Sequence, residues 1–232
     1  MKIRKFFLLV LILMVGLCLS GCSESTENLE AEKGLSEIRF LENQCSIILE
    51  KSMADAYFIE GNEVQWDLLK EDYHMLKNAT DVILIDMANL QVPSKSIVAL
   101  ENHLNDLDCY IQGKEWNSSM KEICDIYDLL VNTIVDKISK EKWIKDEKKC
   151  KSDLLYVGYY LMLLQKEEAL IYLDTFQVHY ADLSNNEEYV ENNAYKVNRV
   201  FMNEQKLKSL IESENFNLAK ESMRELFYFF ET

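Results

Sequence analysis

With 232 residues and 40 acidic against 25 basic side chains, the chain carries a formal charge of −15 and is poorly suited to nucleic acid, whose phosphates are bound through Lys and Arg. Its 48% hydrophobic content excludes compositional disorder. Six glycines and one proline, against usual shares of about 7% and 5%, exclude a turn-rich all-β fold and suit long helices.

The chain opens MKIRK and then runs without charge from Phe6 to Leu19. A spanning helix needs about 20 apolar residues, whereas a run of about 10 to 14 behind a positive head has the form of a secretion signal. The exit reads Leu19-Ser20-Gly21-Cys22: an aliphatic residue, two small residues and a cysteine.

This stretch resembles the lipobox of bacterial lipoproteins. The resemblance covers residues 1–22 alone. It implies cleavage between Gly21 and Cys22, diacylglycerol on the Cys22 thiol, and a chain held on the extracytoplasmic face of the cell membrane, facing the periplasm if the host has an outer membrane. One acyl chain binds membranes marginally, and two or more hold stably. The acidic balance then keeps a surface protein soluble and spaced from an anionic bilayer.

Beyond a short polar tether, Leu35, Ile38, Leu41, Cys45, Ile48 and Leu49 recur at three and four spacing, the pattern of a long first helix expected to end near Gly61. Asn62 and Gln65 have capping-box spacing and open a second helix through Gln91. Pro93 suits the first turn of a third helix, with Leu100, Leu104, Leu107 and Ile111 as its stripe and Gly113 as its break. A fourth helix starts at Trp116 to Ser119, capped by Ser119 and Glu122, with Met120, Ile123, Tyr127, Leu130, Ile134 and Ile138 inward.

The charged stretch 140–153 reads as a connector and a candidate sub-boundary. After it, DLLYVGYYLMLL is apolar almost all round, which predicts a helix buried on most sides. Ser184 and Glu187 are expected to cap the next helix, with Val190, Ala194, Val197, Phe201 and Leu207 or Lys208 in phase. A last short helix starts near Phe216. The expected fold is all-α: six or seven mostly antiparallel helices, as a bundle or as stacked helical hairpins. They would occupy residues 31–232, after a signal peptide at 1–21 and a lipidated tether at 22–30.

A faint internal echo accompanies this pattern. Trp66, Trp116 and Phe216 each open a helix and are followed by a Lys-Glu pair. Their spacings of 50 and 100 differ from the roughly 34 of tetratricopeptide arrays, whose Gly and Pro marks are absent.

With Cys18 expected to leave with the signal peptide, four cysteines remain besides Cys22, and Cys45, Cys109, Cys124 and Cys150 allow three pairings. Cys109 and Cys124 lie unequal distances from Gly113, an offset of about 8 Å along a hairpin, awkward for a bridge. Cys45 and Cys124 fall on apolar stripes and equally suit core thiols. No zinc-type Cys spacing occurs.

Glu71 and His74 form one Glu-x-x-His, the spacing used by di-iron bundles, but His103 and His179 follow Leu100 and Phe176. The second pair is missing, so no metal site is assigned and a solvated face accounts for Glu71 and His74. No catalytic motif is recognisable, and neither catalytic residues nor a cofactor are expected.

Three surfaces stand out. Lys142, Trp143, Lys145, Lys148 and Lys149 sit in a locally basic stretch that could meet anionic headgroups, or form a solvated connector with Trp143 folded back. Phe227, Tyr228, Phe229 and Phe230 point around a helix end, as a wedged last helix or a docking patch for a partner. Tyr156, Tyr159, Tyr160, Tyr172 and Tyr180 could line a pocket for a polar ligand, or bond to backbone carbonyls and water. The leading expectation is an anchored binding or assembly module with a protein or envelope partner and no nucleic acid. The alternative is a small-molecule or metal-binding lipoprotein, open to catalysis.

Overall fold

The computed structural model describes residues 66–89, 91–135 and 142–230. Cys22, the lipobox, the predicted first helix with Cys45, the Asn62 and Gln65 cap and Ile138 lie outside the described residues. Among the described residues there are seven α-helices and no strand, so the fold is all-α: α1 Trp66–Asn89, α2 Ser94–Gly113, α3 Trp116–Leu130, α4 Lys142–Met162, α5 Lys166–Ser184, α6 Glu187–Glu212 and α7 Phe216–Tyr228, with a π-helical turn Val131–Val135 following α3. None is long and apolar enough to cross a membrane.

The helices α1, α3, α5 and α7 begin at residues 66, 116, 166 and 216, at intervals of 50. The echo of Trp66, Trp116 and Phe216 is therefore a repeat, and Lys166 is its missing member. Lys166 replaces the aromatic with an ammonium that donates to the Glu212 carbonyl at 2.9 Å, tying the start of α5 to the next hairpin turn.

Each of the three turns α2–α3, α4–α5 and α6–α7 closes with the same bonds. Lys114, Leu164 and Glu214 are left-handed, with φ 58°, 57° and 58°. Their amides donate three residues back, to Ile111, Leu161 and Ile211. The next amides, of Glu115, Gln165 and Asn215, donate five back, to Tyr110, Tyr160 and Leu210. This is a Schellman termination, which satisfies the last helical carbonyls.

Gln91 (φ 56°) ends α1 in the same way, with Val92 N bonded to Met87 O at 3.1 Å, and Pro93 follows as the N-cap of α2. Glycine usually takes such positions, yet none of these four is glycine. Gly113 is the last residue of α2, one short of the left-handed site.

A left-handed L-residue costs about 1–2 kcal/mol, and Leu164 is largely exposed. Its replacement by glycine is expected to relieve that strain against a loss of about 0.5–1 kcal/mol to unfolded-chain entropy. The net gain is about 0.5 kcal/mol, and Tm measured by circular dichroism should rise by about 1–2 °C. A fall in Tm would count against the strain.

Burial follows the same interval. On the first helix of each hairpin Leu107, Val157 and Leu207, and Ile111, Leu161 and Ile211, are buried; on the second, Ile123, Leu173 and Met223, and Ile126, Phe176 and Leu226. Each such side chain contributes about 1.5–3 kcal/mol of burial. Ser119, Ala169 and Ala219 are fully buried one turn into α3, α5 and α7, where small side chains let the two helices approach behind the tight turn.

Successive helices pack in order from α1 to α7, and α7 also returns to α4. The helices α4 to α7 thus close an antiparallel four-helix ring, with α1 to α3 stacked against it through α3. The stretch expected as a charged connector is helical from Lys142 onward, in one piece with the apolar DLLYVGYYLM. That helix is buried on most sides, as its composition predicts.

Three local expectations are corrected. Ser119 lies inside α3 and donates back to Glu115 O at 2.9 Å, so it is not a cap. Ser184 ends α5, and Asn186 caps α6 by accepting from the Tyr189 amide at 3.0 Å. In α6, Asn193 leaves helical geometry (φ −132°, ψ 23°) and its side chain donates to Tyr189 O. Tyr189, Val200, Glu204, Leu207 and Ile211 face inward while Ala194 and Phe201 are exposed, so the inward face lies about one residue away from the expected stripe.

Candidate functional site

The aromatic tail is mostly core. Phe227 and Phe230 are buried, Phe229 is half-buried and Tyr228 is exposed. Phe230 meets Phe176 and Tyr180 edge-on, with centroids 5.8 and 6.2 Å apart. Lys151 Nζ lies 5.1 Å over the Phe227 ring, and Lys196 Nζ lies 5.2 Å over Phe230, favourable cation–π arrangements. The wedged last helix is what the chain adopts.

In the basic stretch Lys142 is exposed and Lys145, Lys148 and Lys149 are half-buried at the start of α4. Trp143 turns back onto the bundle, its ring 6.0 Å from Tyr189. Its Nε1 and the Tyr189 hydroxyl are buried with no hydrogen-bond partner among the described residues.

Four of the five singled-out tyrosines form a stack rather than a cavity. Tyr172 lies face to face with Tyr156 (4.5 Å) and Tyr160 (5.4 Å), and Tyr159 meets Tyr160 edge-on at 4.9 Å. Tyr156 donates to Asp125 Oδ1 at 2.6 Å. Asp125 also accepts from Lys121 at 2.7 and 2.8 Å, and Ser152 donates to Asp128 at 3.0 Å. Burial and then the Asp125 hydrogen bond push the Tyr156 phenol far up, which keeps it protonated.

Tyr180 stands apart from this stack. It donates to Val197 O at 3.0 Å and stacks on Phe176 at 5.6 Å.

Two histidines find acids that lie remote in sequence. His103 Nδ1 and Glu122 Oε2 are 2.6 Å apart across the α2–α3 hairpin. His179 Nδ1 and Asp153 Oδ2 are 2.6 Å apart across α4–α5. Burial raises the Asp153 carboxyl to about 6 against the opposing pull of His179.

His103, Glu122 and Asp125 place one ligand atom each within 4.8 Å of one another. Asp125, however, already accepts from the Lys121 ammonium and the Tyr156 phenol, and Glu122 already meets His103, so each carboxylate has a partner of its own. Glu71 and His74 are both exposed on α1. Their Glu-x-x-His spacing is local, whereas the acids that do meet histidines come from a neighbouring helix, which no spacing along one helix could reveal.

Cys109, Cys124 and Cys150 carry thiols, with no disulfide among the described residues; Cys124 and Cys150 are buried and Cys109 is exposed. Burial raises the Cys150 thiol well above its usual value, so it is an unreactive core residue.

A cavity of about 350 Å³ lies between α5 and α6, lined by Phe176, Gln177, Tyr180, Val197, Phe201 and Glu204 among others. Of the residues selected from sequence for a pocket, Tyr180 alone borders it. Glu204, 3% exposed, passed unnoticed because the stripe chosen for α6 put Phe201 inward instead. Comparison with protein-family models, with curated proteins and with solved structures finds no match to this chain.

Proposed function

We propose that this chain is a lipid-anchored helical module on the extracytoplasmic face of the cell membrane that docks a protein or other envelope component. The anchor follows from Leu19-Ser20-Gly21-Cys22. Stacked helical hairpins commonly present side chains along a continuous partner surface.

The observation that carries docking is on α6, where Tyr195 and Met202 are each 71% exposed and Phe201 is 60% exposed. Large apolar side chains left in water within two turns of one helix mark partner sites, and Tyr, Phe and Met are enriched at such interfaces. This surface takes the place of the aromatic tail, whose Phe227 and Phe230 are needed by the core.

Crosslinking in the native cells tests the reading, with wild type compared with Cys22→Ala and with the double variant Tyr195→Glu/Met202→Glu. A partner captured by wild type is expected to be lost with the double variant. Cys22→Ala should move the protein from the membrane to the soluble fraction and deplete the same partner. An unchanged crosslink pattern in the double variant would remove α6 as the docking surface. A Cys22→Ala protein that stays in the membrane would remove the anchor.

A further inference from the structure

The internal repeat supplies its own control for the cavity between α5 and α6. Glu204 stands 50 residues after Leu154 and 100 after Leu104, both buried leucines. Gln177 stands midway between Tyr127 and Phe227, both buried aromatics. At these two positions the other hairpins use apolar side chains, as helix packing requires. The α5–α6 interface instead sets a buried carboxylate against an amide.

Gln177 Nε2 donates to Glu204 Oε1, and Gln205 Nε2 donates to Oε2 at 2.8 Å. Both are neutral groups. The Lys208 ammonium feels the Glu204 charge but donates to Asp174 at 2.8 Å. A carboxylate accepts about four hydrogen bonds, so two amides leave acceptor capacity at the cavity wall, and burying such a charge is unfavourable unless a cation pairs with it.

We propose that this cavity binds a small primary ammonium compound carrying an apolar arm. The ammonium would donate to Glu204 and to the Gln177 amide oxygen. The arm would lie between the stacked Phe176 and Tyr180 rings and Phe201 at the rim, where aromatic faces also favour the cation. A volume of about 350 Å³ falls at the lower end of ligand pockets, which run from about 300 to 1,000 Å³. The chain's charge of −15 adds a field that attracts cations.

The test is calorimetric titration of the full chain in detergent at neutral pH, using 2-phenylethylamine and hexylamine beside the uncharged 2-phenylethanol and hexanol. Amines are expected to bind at least about tenfold more tightly than the alcohols. Glu204→Gln should lower amine affinity by about tenfold or more. Glu204→Leu restores the residue found at positions 104 and 154; it should abolish amine binding while Tm stays equal or rises.

Equal amine affinity in Glu204→Gln, equal binding of amines and alcohols, or no binding of amine up to about 10 mM would overturn the site. A Glu204→Leu protein less stable than wild type would show that packing itself needs the carboxylate, and would overturn the inference as well. A lysine-bearing peptide that binds more tightly than the free amines would transfer the site to a partner's side chain. Phe201 borders both the docking surface and the cavity, but Tyr195 and Met202, the residues substituted in the docking test, lie outside the cavity lining, so the two tests fail or stand separately.

Discussion

Phe176→Ala should lower the free energy of unfolding by about 3–5 kcal/mol, out of a total of about 5–15 kcal/mol for an ordinary domain. Phe176 is fully buried in α5 at the same repeat position as Ile126 and Leu226. Its ring stacks on Tyr180 at 5.6 Å and an interplanar angle of 7°, and takes the edge of Phe230 at 5.8 Å and 88°. The Phe230 contact ties α5 to the C-terminal turn while the Tyr180 stack braces the ring within α5, and each aromatic pair adds about 0.5–1.5 kcal/mol beyond burial.

Truncation leaves a void that neighbouring helices cannot fill without losing their own contacts. Urea unfolding followed by circular dichroism should show a lower midpoint with an unchanged slope. Phe176→Leu should recover much of the loss. A cost under about 1 kcal/mol would mean that α7 does not depend on this ring.

The second large effect is a dependence on pH. Asp153 is raised from 3.8 to about 6, first by burial, then against the His179 hydrogen bond and charge, with Asp128 raising it further and Lys149 lowering it. Between these two values the folded chain holds a proton at Asp153 that the unfolded chain has released. Stability from this group is therefore fully present below the unfolded value and is lost as pH rises through about 6.

A shift of about two units corresponds to about 3 kcal/mol. Asp153→Asn keeps the shape, keeps an oxygen opposite His179 Nδ1, and does not ionise. The stability of the variant relative to wild type should grow from pH 4 to pH 7 by up to about 3 kcal/mol in matched urea titrations. Parallel profiles for the two proteins would show that Asp153 does not titrate in this range.

The helical content and most helix boundaries were readable from particular residues. Leu100, Leu104, Leu107 and Ile111 are all buried on α2, as their spacing predicts. Trp116 and Phe216 open α3 and α7 at the expected places. The turn at Leu163 to Gln165 was not readable, because its left-handed position is taken by a leucine and no Gly or Pro marks it. The inward face of α6 was misplaced by about one residue, because Val190, Val197 and Phe201 form a second apolar stripe beside the true one through Tyr189, Val200, Leu207 and Ile211.

The sites divide in the same way. The proposed lipidation at Cys22 rests on the order of residues along the chain alone. The sequence by itself therefore determines the expectation of an anchor, and equally the all-α class, which follows from apolar spacing and from the scarcity of Gly and Pro.

The tertiary structure decided which acid meets which histidine, that Phe227 and Phe230 close the core, and that Gln177 faces Glu204 across a cavity. Those pairings join residues 19 to 27 positions apart, on different helices. Local periodicity states which face of a helix is apolar; packing alone states what that face meets.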